Sequence, residues 1–99
     1  MVIYSALEWR NTVENPTSRA NARVPGLPGG WNVIQYAEAI NDPRDAVVLC
    51  QRTVEDGDHG SKYVVWDVNR VEGGCYNGKY EDTYTGAMAH FNTRKGRLR

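Results

Sequence analysis

The chain is short of most of what would assign it a function at sight. It holds one phenylalanine, two methionines, two cysteines and no net charge. Cys50 and Cys75 fit no zinc or thioredoxin-like spacing. Both read as free thiols in a reducing, cytoplasmic setting. No apolar run approaches the ~18 residues of a membrane-spanning helix, so no membrane partner is expected. The opening MVIYSALEWRN lacks a basic n-region and a sustained apolar stretch, and does not read as a signal peptide. Zero net charge argues against a dedicated nucleic-acid binder, whose domain is usually strongly basic.

What is present is aromatic. Leu, Ile, Val and Phe total only 19 residues, a count that would suggest disorder if the net charge were large. Three Trp and six Tyr supply buriable area instead, at ~150–250 Å² each. Ninety-nine residues then make one folded domain with an aromatic-rich core. Its charge is uneven. Residues 1–37 carry net +1, residues 38–82 net −5, and residues 83–99 net +4. The last of these is a basic end that suits a helix dipole and solubility.

Along the chain, residues 1–31 read as an N-terminal arm whose stretch ENPTSRANARVPGLPGG is rich in Pro and Gly. Structureless loops longer than ~12–15 residues are uncommon in compact domains and are usually functional or disordered. Residues 32–41 read as a short helix, from the three- and four-residue spacing of Val33, Ala37 and Ile40. Asn32 is its candidate N-cap and Pro43 its stop. Residues 46–94 read as a β-β-β-α unit. DAVVLCQRTV and KYVVWDVNRV are strands, and CYNGKYED is a third. Val64, Trp66 and Val68 point to the core with Tyr80, Met88 and Phe91, and Tyr63, Val65, Asp67 and Asn69 point away. The last turn lies either at Gly73-Gly74, leaving Gly78 mid-strand under Trp66, or at Asn77-Gly78. The first choice puts Tyr76, Gly78 and Tyr80 on one face. A final helix spans TYTGAMAHFNTRK, capped by Asp82 or Thr83, with Tyr84, Ala87, Met88 and Phe91 inward and an αL stop at Gly96. Residues 95–99 form a basic tail. The expected fold class is therefore α+β: a three-stranded antiparallel meander with a C-terminal helix packed on it, preceded by a short helix and the arm.

Within this pattern, Gly78, Tyr80, Asp82, Thr83, Ala87 and Ala89 of GKYEDTYTGAMAHFN carry a resemblance. Residues 62–94 resemble the DNA-binding domains of plant ethylene-response factors and the arm-binding domains of tyrosine integrases. The resemblance implies three antiparallel strands and a helix, with DNA read by the exposed sheet face. Here that face would present Tyr63, Val65, Asp67, Asn69, Asn77 and Lys79. One lysine and one aspartate do not supply the charge that neutralises phosphates, so the fold analogy does not carry the function. The chain also resembles small proteins of bacterial and phage genomes.

Candidate chemistry is sparse. Glu55, Asp56, Asp58 and His59 offer oxygen and imidazole ligands, but lack the spacing of a calcium loop, and a solvated turn explains them. Cys75 and His90 have no orienting third group. Gly26, Gly29 and Gly30 are interrupted by Pro28 and cradle no phosphate. No cofactor, no metal and no catalysis are expected. The reading is a non-catalytic protein-interaction module, a regulator or inhibitor from a bacterial or phage accessory gene. Its partner is another protein or a second copy of itself. Arg19, Arg23, Leu27, Trp31, Tyr63 and Val65 are the candidate contacts, since buried Trp and Arg dominate interface energetics. An arm that merely wraps its own sheet is the competing expectation. The alternative function is weak nucleic-acid binding through Lys79, Arg94, Lys95 and Arg97. An enzyme of unrecognised chemistry is the third.

Overall fold

Strands joined by short connections pair with their neighbours in sequence, and this chain follows that rule throughout. In a computed structural model that describes residues 2–5, 21–53 and 61–98, five strands form one antiparallel sheet in sequence order. They are β1 (Val2–Ser5), β2 (Trp31–Glu38), β3 (Asp45–Arg52), β4 (Tyr63–Asn69) and β5 (Cys75–Glu81). Helix α1 (Tyr84–Lys95) follows. The α+β class stands, with an antiparallel sheet and a C-terminal helix. The meander β2–β5 has four strands where three were expected, and Val2–Ser5 adds an edge beside β2.

The additional meander strand is the stretch read as a helix. Residues 31–38 are β2, and the reason is local. Trp31, Val33, Ile34 and Tyr36 are β-branched or aromatic and favour a pleated, half-buried surface. Their helix-like spacing comes from a register shift between Val33 and Gln35. The extra residue of a bulge adds one to the strand's period of two. Val33 and Tyr36 therefore share one face although they are three positions apart, and Ile34 and Ala37 share the other. The backbone N–H of Val33, beside this bulge, donates to Asn21 Oδ1 at 2.8 Å.

Strand β3 is buried without alternation, from Ala46 to Cys50. That pattern requires a cover on both faces of the sheet. One face carries Val33, Tyr36, Val48, Cys50, Val64, Trp66 and Val68, and it is covered by Val24 and Leu27 of the arm. The other carries Val47, Leu49 and Val65, and Ala87 and Phe91 of α1 lie on it. The expected sides are thus exchanged. Helix α1 sits on the Tyr63–Val65 side, and Trp66 and Val68 face away from it. Asp67 marked that side as solvent-facing, yet it is half-buried as the acceptor for Arg94 and Asn77.

The turn before β5 is at Gly73-Gly74, with φ of +83° and +114°. Asn69 Oδ1 accepts from the N–H groups of Val71 and Glu72 and closes it. Strand β5 is continuous through Asn77-Gly78, which form a bulge opposite Trp66, with Asn77 at φ +54°. The bulge moves Tyr76 and Tyr80 to opposite faces, which corrects the expectation that they share one. Tyr80 pairs with Val64 on the arm side, and Tyr76 with Asp67 on the helix side. Gly78 lies beneath the Trp66 ring: a Cβ there would meet Trp66 Nε1 at 2.6 Å. Gly26 has a backbone reason of its own. Its φ is +77°, and a Cβ would meet Gly74 N at 2.7 Å, where Gly74 N donates to Pro25 O at 2.8 Å.

Thr83 caps α1, its Oγ1 accepting from Gly86 N at 3.1 Å. Gly96 ends it in right-handed geometry, φ −63°. No αL stop forms, because the N–H groups of Gly96, Arg97 and Leu98 already satisfy carbonyls of the last turn.

Two substitutions test this packing. Phe91 is 1% exposed, and Phe91→Ala should lower stability by ~3–5 kcal/mol in chemical denaturation. Gly78→Ala adds a methyl against a buried, rigid indole, and should cost ~1–3 kcal/mol through overpacking. A neutral result for Phe91→Ala would remove the helix from the Val65 face.

Candidate binding site

An aromatic cluster occupies one end of the arm-covered face. Trp31 opens β2, Arg52 pairs with it at the end of β3, and Trp66 and Tyr80 come from β4 and β5. The Trp31 and Trp66 rings meet edge to face, centroids 5.5 Å apart. Tyr80 stands 6.0 Å from Trp31 and 6.3 Å from Trp66. The Arg52 guanidinium lies over the Trp31 ring at 4.5 Å, and its Nε donates to Ser61 O at 3.0 Å. The gradient of exposure gives the cluster its character. Trp66 is buried, Trp31 is half-buried, and Tyr80 is 51% exposed. A rigid buried indole therefore supports an aromatic surface open to solvent, with a cation at its side.

The cluster adjoins an open sheet edge. Among the described residues, β5 pairs with β4 alone, so the backbone groups on its outer side have no strand partner. At the far end of the same face the arrangement is closed. Tyr36 OH donates to Glu38 Oε2 at 2.9 Å, and Arg70 Nη1 donates to that oxygen at 2.8 Å. Burial, reinforced by the Glu38 hydrogen bond, pushes the Tyr36 phenol well above its ordinary range. Glu38 Oε2 thus accepts from both side chains, while the buried Arg70 Nε has no hydrogen-bond partner among the described residues.

The other candidate residues are dispersed. Leu27, like Trp31, packs against the arm-side core. Val65 is 0% exposed beneath α1, and half-buried Tyr63 packs on Tyr84 at 5.9 Å. These two do not form a contact surface, because α1 covers their side of the sheet. Arg23 is half-buried next to Val24, and Arg19 lies outside the described residues. In the arm, Val24 is 3% exposed; the described part of the arm therefore wraps its own sheet, on the face opposite Tyr63 and Val65.

The basic set is split in function. Arg94 donates to Val65 O at 3.3 Å and Asp67 Oδ1 at 3.4 Å. Lys95 stands 5.8 Å from the centre of the Phe91 ring. Lys79 pairs with Val65, on the helix side, and Arg97 lines a cleft there. All four lie across the sheet from the aromatic cluster. Cys75 and His90 are likewise on opposite sides, since Cys75 packs into the arm-side core and His90 bonds Glu81 at 2.9 Å. Glu55, Asp56, Asp58 and His59 lie outside the described residues. Among the described residues, no group of three or more His, Cys, Asp or Glu is placed to hold a metal. No described helix is long and apolar enough to cross a membrane.

Comparison with known proteins found no match to a family model, a curated protein or a solved structure.

Sequence reasoning named Trp31 and Leu27 but missed Arg52 and Tyr80 as their companions. Tyr80 lies on the Trp66 side, as expected, but on the edge strand, where it is 51% exposed rather than buried in the core.

Both cysteines are free. Burial pushes the Cys75 thiol up to about 11. Burial, and secondarily Cys75, raises Cys50 further. The folded chain therefore holds these protons more tightly than the unfolded chain, whose thiols titrate near ~8.5. The resulting stabilisation is complete below that pH and is lost as pH rises toward 11. Melting temperature should fall over that window, and fall less in Cys75→Ala. Alkylation should modify Cys75 in the folded protein and Cys50 only after unfolding.

Proposed function

We propose that this chain is a non-catalytic binding module that captures an extended segment of another protein along β5. The observation that carries the reading is Tyr80: half exposed, on an edge strand, and backed by the Trp31–Trp66 pair. Extended peptides add to open sheet edges through main-chain hydrogen bonds, and side-chain pockets beside the edge confer selectivity. The Trp31, Tyr80 and Arg52 surface is such a pocket wall. Its residue types are those that dominate interface energetics, and its rigidity lowers the entropy lost on docking. Arg52 favours a partner segment with a carboxylate or carbonyl beside an apolar side chain. A module acting by docking alone regulates or inhibits what it covers.

A nucleic-acid reading draws on less. Arg52 and Tyr80 suit stacking on unpaired bases, but Lys79, Arg94, Lys95 and Arg97 lie on the other side of the sheet and do not extend that surface.

Affinity capture from the native host, compared across variants, tests the reading. Tyr80→Ala and Arg52→Ala should leave the fold intact by circular dichroism, and each should weaken retention of the captured protein about tenfold or more. Retention unchanged in both would overturn the assignment of this surface. Retention that depends on Tyr80 but is abolished by nuclease would assign it to single-stranded nucleic acid.

A further inference from the structure

The helix side of the sheet holds a second feature, independent of the aromatic surface. Where α1 ends, a cleft of about 380 Å³ opens between the helix and the strands. That volume lies within the ~300–1,000 Å³ range of small-molecule sites. The floor is built from β3, β4 and β5, which present Asp45, Val47, Asp67 and Tyr76. The wall is the end of α1 and the turn after it, which present Arg94, Arg97 and Leu98. That turn is held in place, with Arg97 N donating to Arg94 O at 3.0 Å and Leu98 N to Lys95 O at 3.1 Å. Leu98 also packs on the helix-side core.

The charges divide the same way, carboxylates on the floor and guanidiniums on the wall. One of each is used within the fold: Asp67 is bonded by Arg94 and by Asn77. One of each is left over. Among the described residues, neither the Asp45 carboxylate nor the Arg97 guanidinium has an ion pair or a side-chain hydrogen bond.

We propose that this cleft binds a small aliphatic α-amino acid as its zwitterion. The ammonium group lies on the floor at Asp45 and Tyr76, the carboxylate meets Arg97 on the wall, and the aliphatic part rests on Val47 and Leu98. The floor has the right polarity for a cation. Burial, followed by repulsion from Asp42 and Asp67, holds the Asp45 carboxyl above its ordinary value. Burial, followed by Asp67, Asp45 and Asp42, does the same to the Tyr76 phenol. An ammonium at this place relieves that repulsion, and the Tyr76 ring offers it a π face. A purely cationic ligand would leave Arg97 unanswered, and a purely anionic one would meet the floor's repulsion.

The test uses L-leucine and its two half-molecules. One is 3-methylbutylamine, which keeps the ammonium, and the other is 4-methylpentanoate, which keeps the carboxylate. Each is titrated into the ¹⁵N-labelled full chain, and the backbone amides of Tyr76, Asn77, Arg97 and Leu98 are followed. Leucine should give saturable shifts at these positions, with each half-molecule at least about tenfold weaker, as expected for one lost charge-assisted hydrogen bond. Asp45→Asn should weaken leucine and the amine without weakening the acid. Arg97→Gln should weaken leucine and the acid without weakening the amine. Neither side chain holds the fold together, and an unchanged amide pattern outside the cleft checks this. The proposal is overturned if leucine gives no saturable shift up to about 10 mM, if either half-molecule binds as well as leucine, or if both variants bind leucine as the parent does.

Discussion

Strand β3 sets the terms for the rest of the chain. Its five consecutive buried residues, Ala46 to Cys50, put apolar side chains on both faces of the sheet at once. Neither face can be left to water, and a chain of 99 residues has few pieces with which to cover them. Helix α1 covers one with Ala87 and Phe91, and the segment around Val24 and Leu27 covers the other. The covers are unequal. The helix is a regular element with an apolar stripe; the arm segment is an irregular stretch held by Asn21 at the β2 bulge and by Pro25 at the β4–β5 turn. It leaves one end of its face unfilled, and the aromatic cluster is what fills it.

The legible parts of the fold were those whose periodicity was undisturbed. Strands β3 and β4 followed from β-branched runs between turn residues. The helix followed from Thr83 and from the inward spacing of Ala87 and Phe91. Of the two turns open from the sequence, Gly73-Gly74 leaves a long last strand to pair with β4 and Gly78 beneath Trp66, and both are present. Two of the parts that were not legible trace to bulges. In β2, the inserted residue gave Val33 and Tyr36 a spacing of three, which reads as a helix. In β5, two residues opposite Trp66 put Tyr76 and Tyr80 on opposite faces. A single chain records the side-chain period but not an insertion into it, so both errors are of one kind.

The choice of face was illegible for a different reason. Polar residues on a strand signal solvent only when nothing else in the chain can pair with them. Asp67 is on the covered side because Arg94, 27 residues later, reaches back to it. The same long-range pairing shapes both candidate sites. It spends one carboxylate and one guanidinium of the helix-side cleft within the fold, and it keeps Arg94 away from any surface on the opposite side. Arg52 is free to serve the aromatic cluster because its nearest contacts, Trp31 and Ser61 O, come from its own end of the sheet.

The backbone contact between Pro25-Gly26 and Gly73-Gly74 has a kinetic side. Every strand pairing in this sheet joins neighbours in sequence, and those among β2 to β5 close short loops and can form early. The arm's contact joins segments nearly half the chain apart, and its entropy of closure is met only once the β4–β5 turn exists to receive it. The meander and α1 can therefore assemble as one unit while the opposite face is still bare. Without the arm, Trp66, Val48 and Val64 would be open to water, and the hydrogen bond from Gly74 N to Pro25 O spans the longest sequence separation of the main-chain links described. Amide exchange at Gly74 would then report the opening of this cover separately from the unfolding of the sheet beneath it.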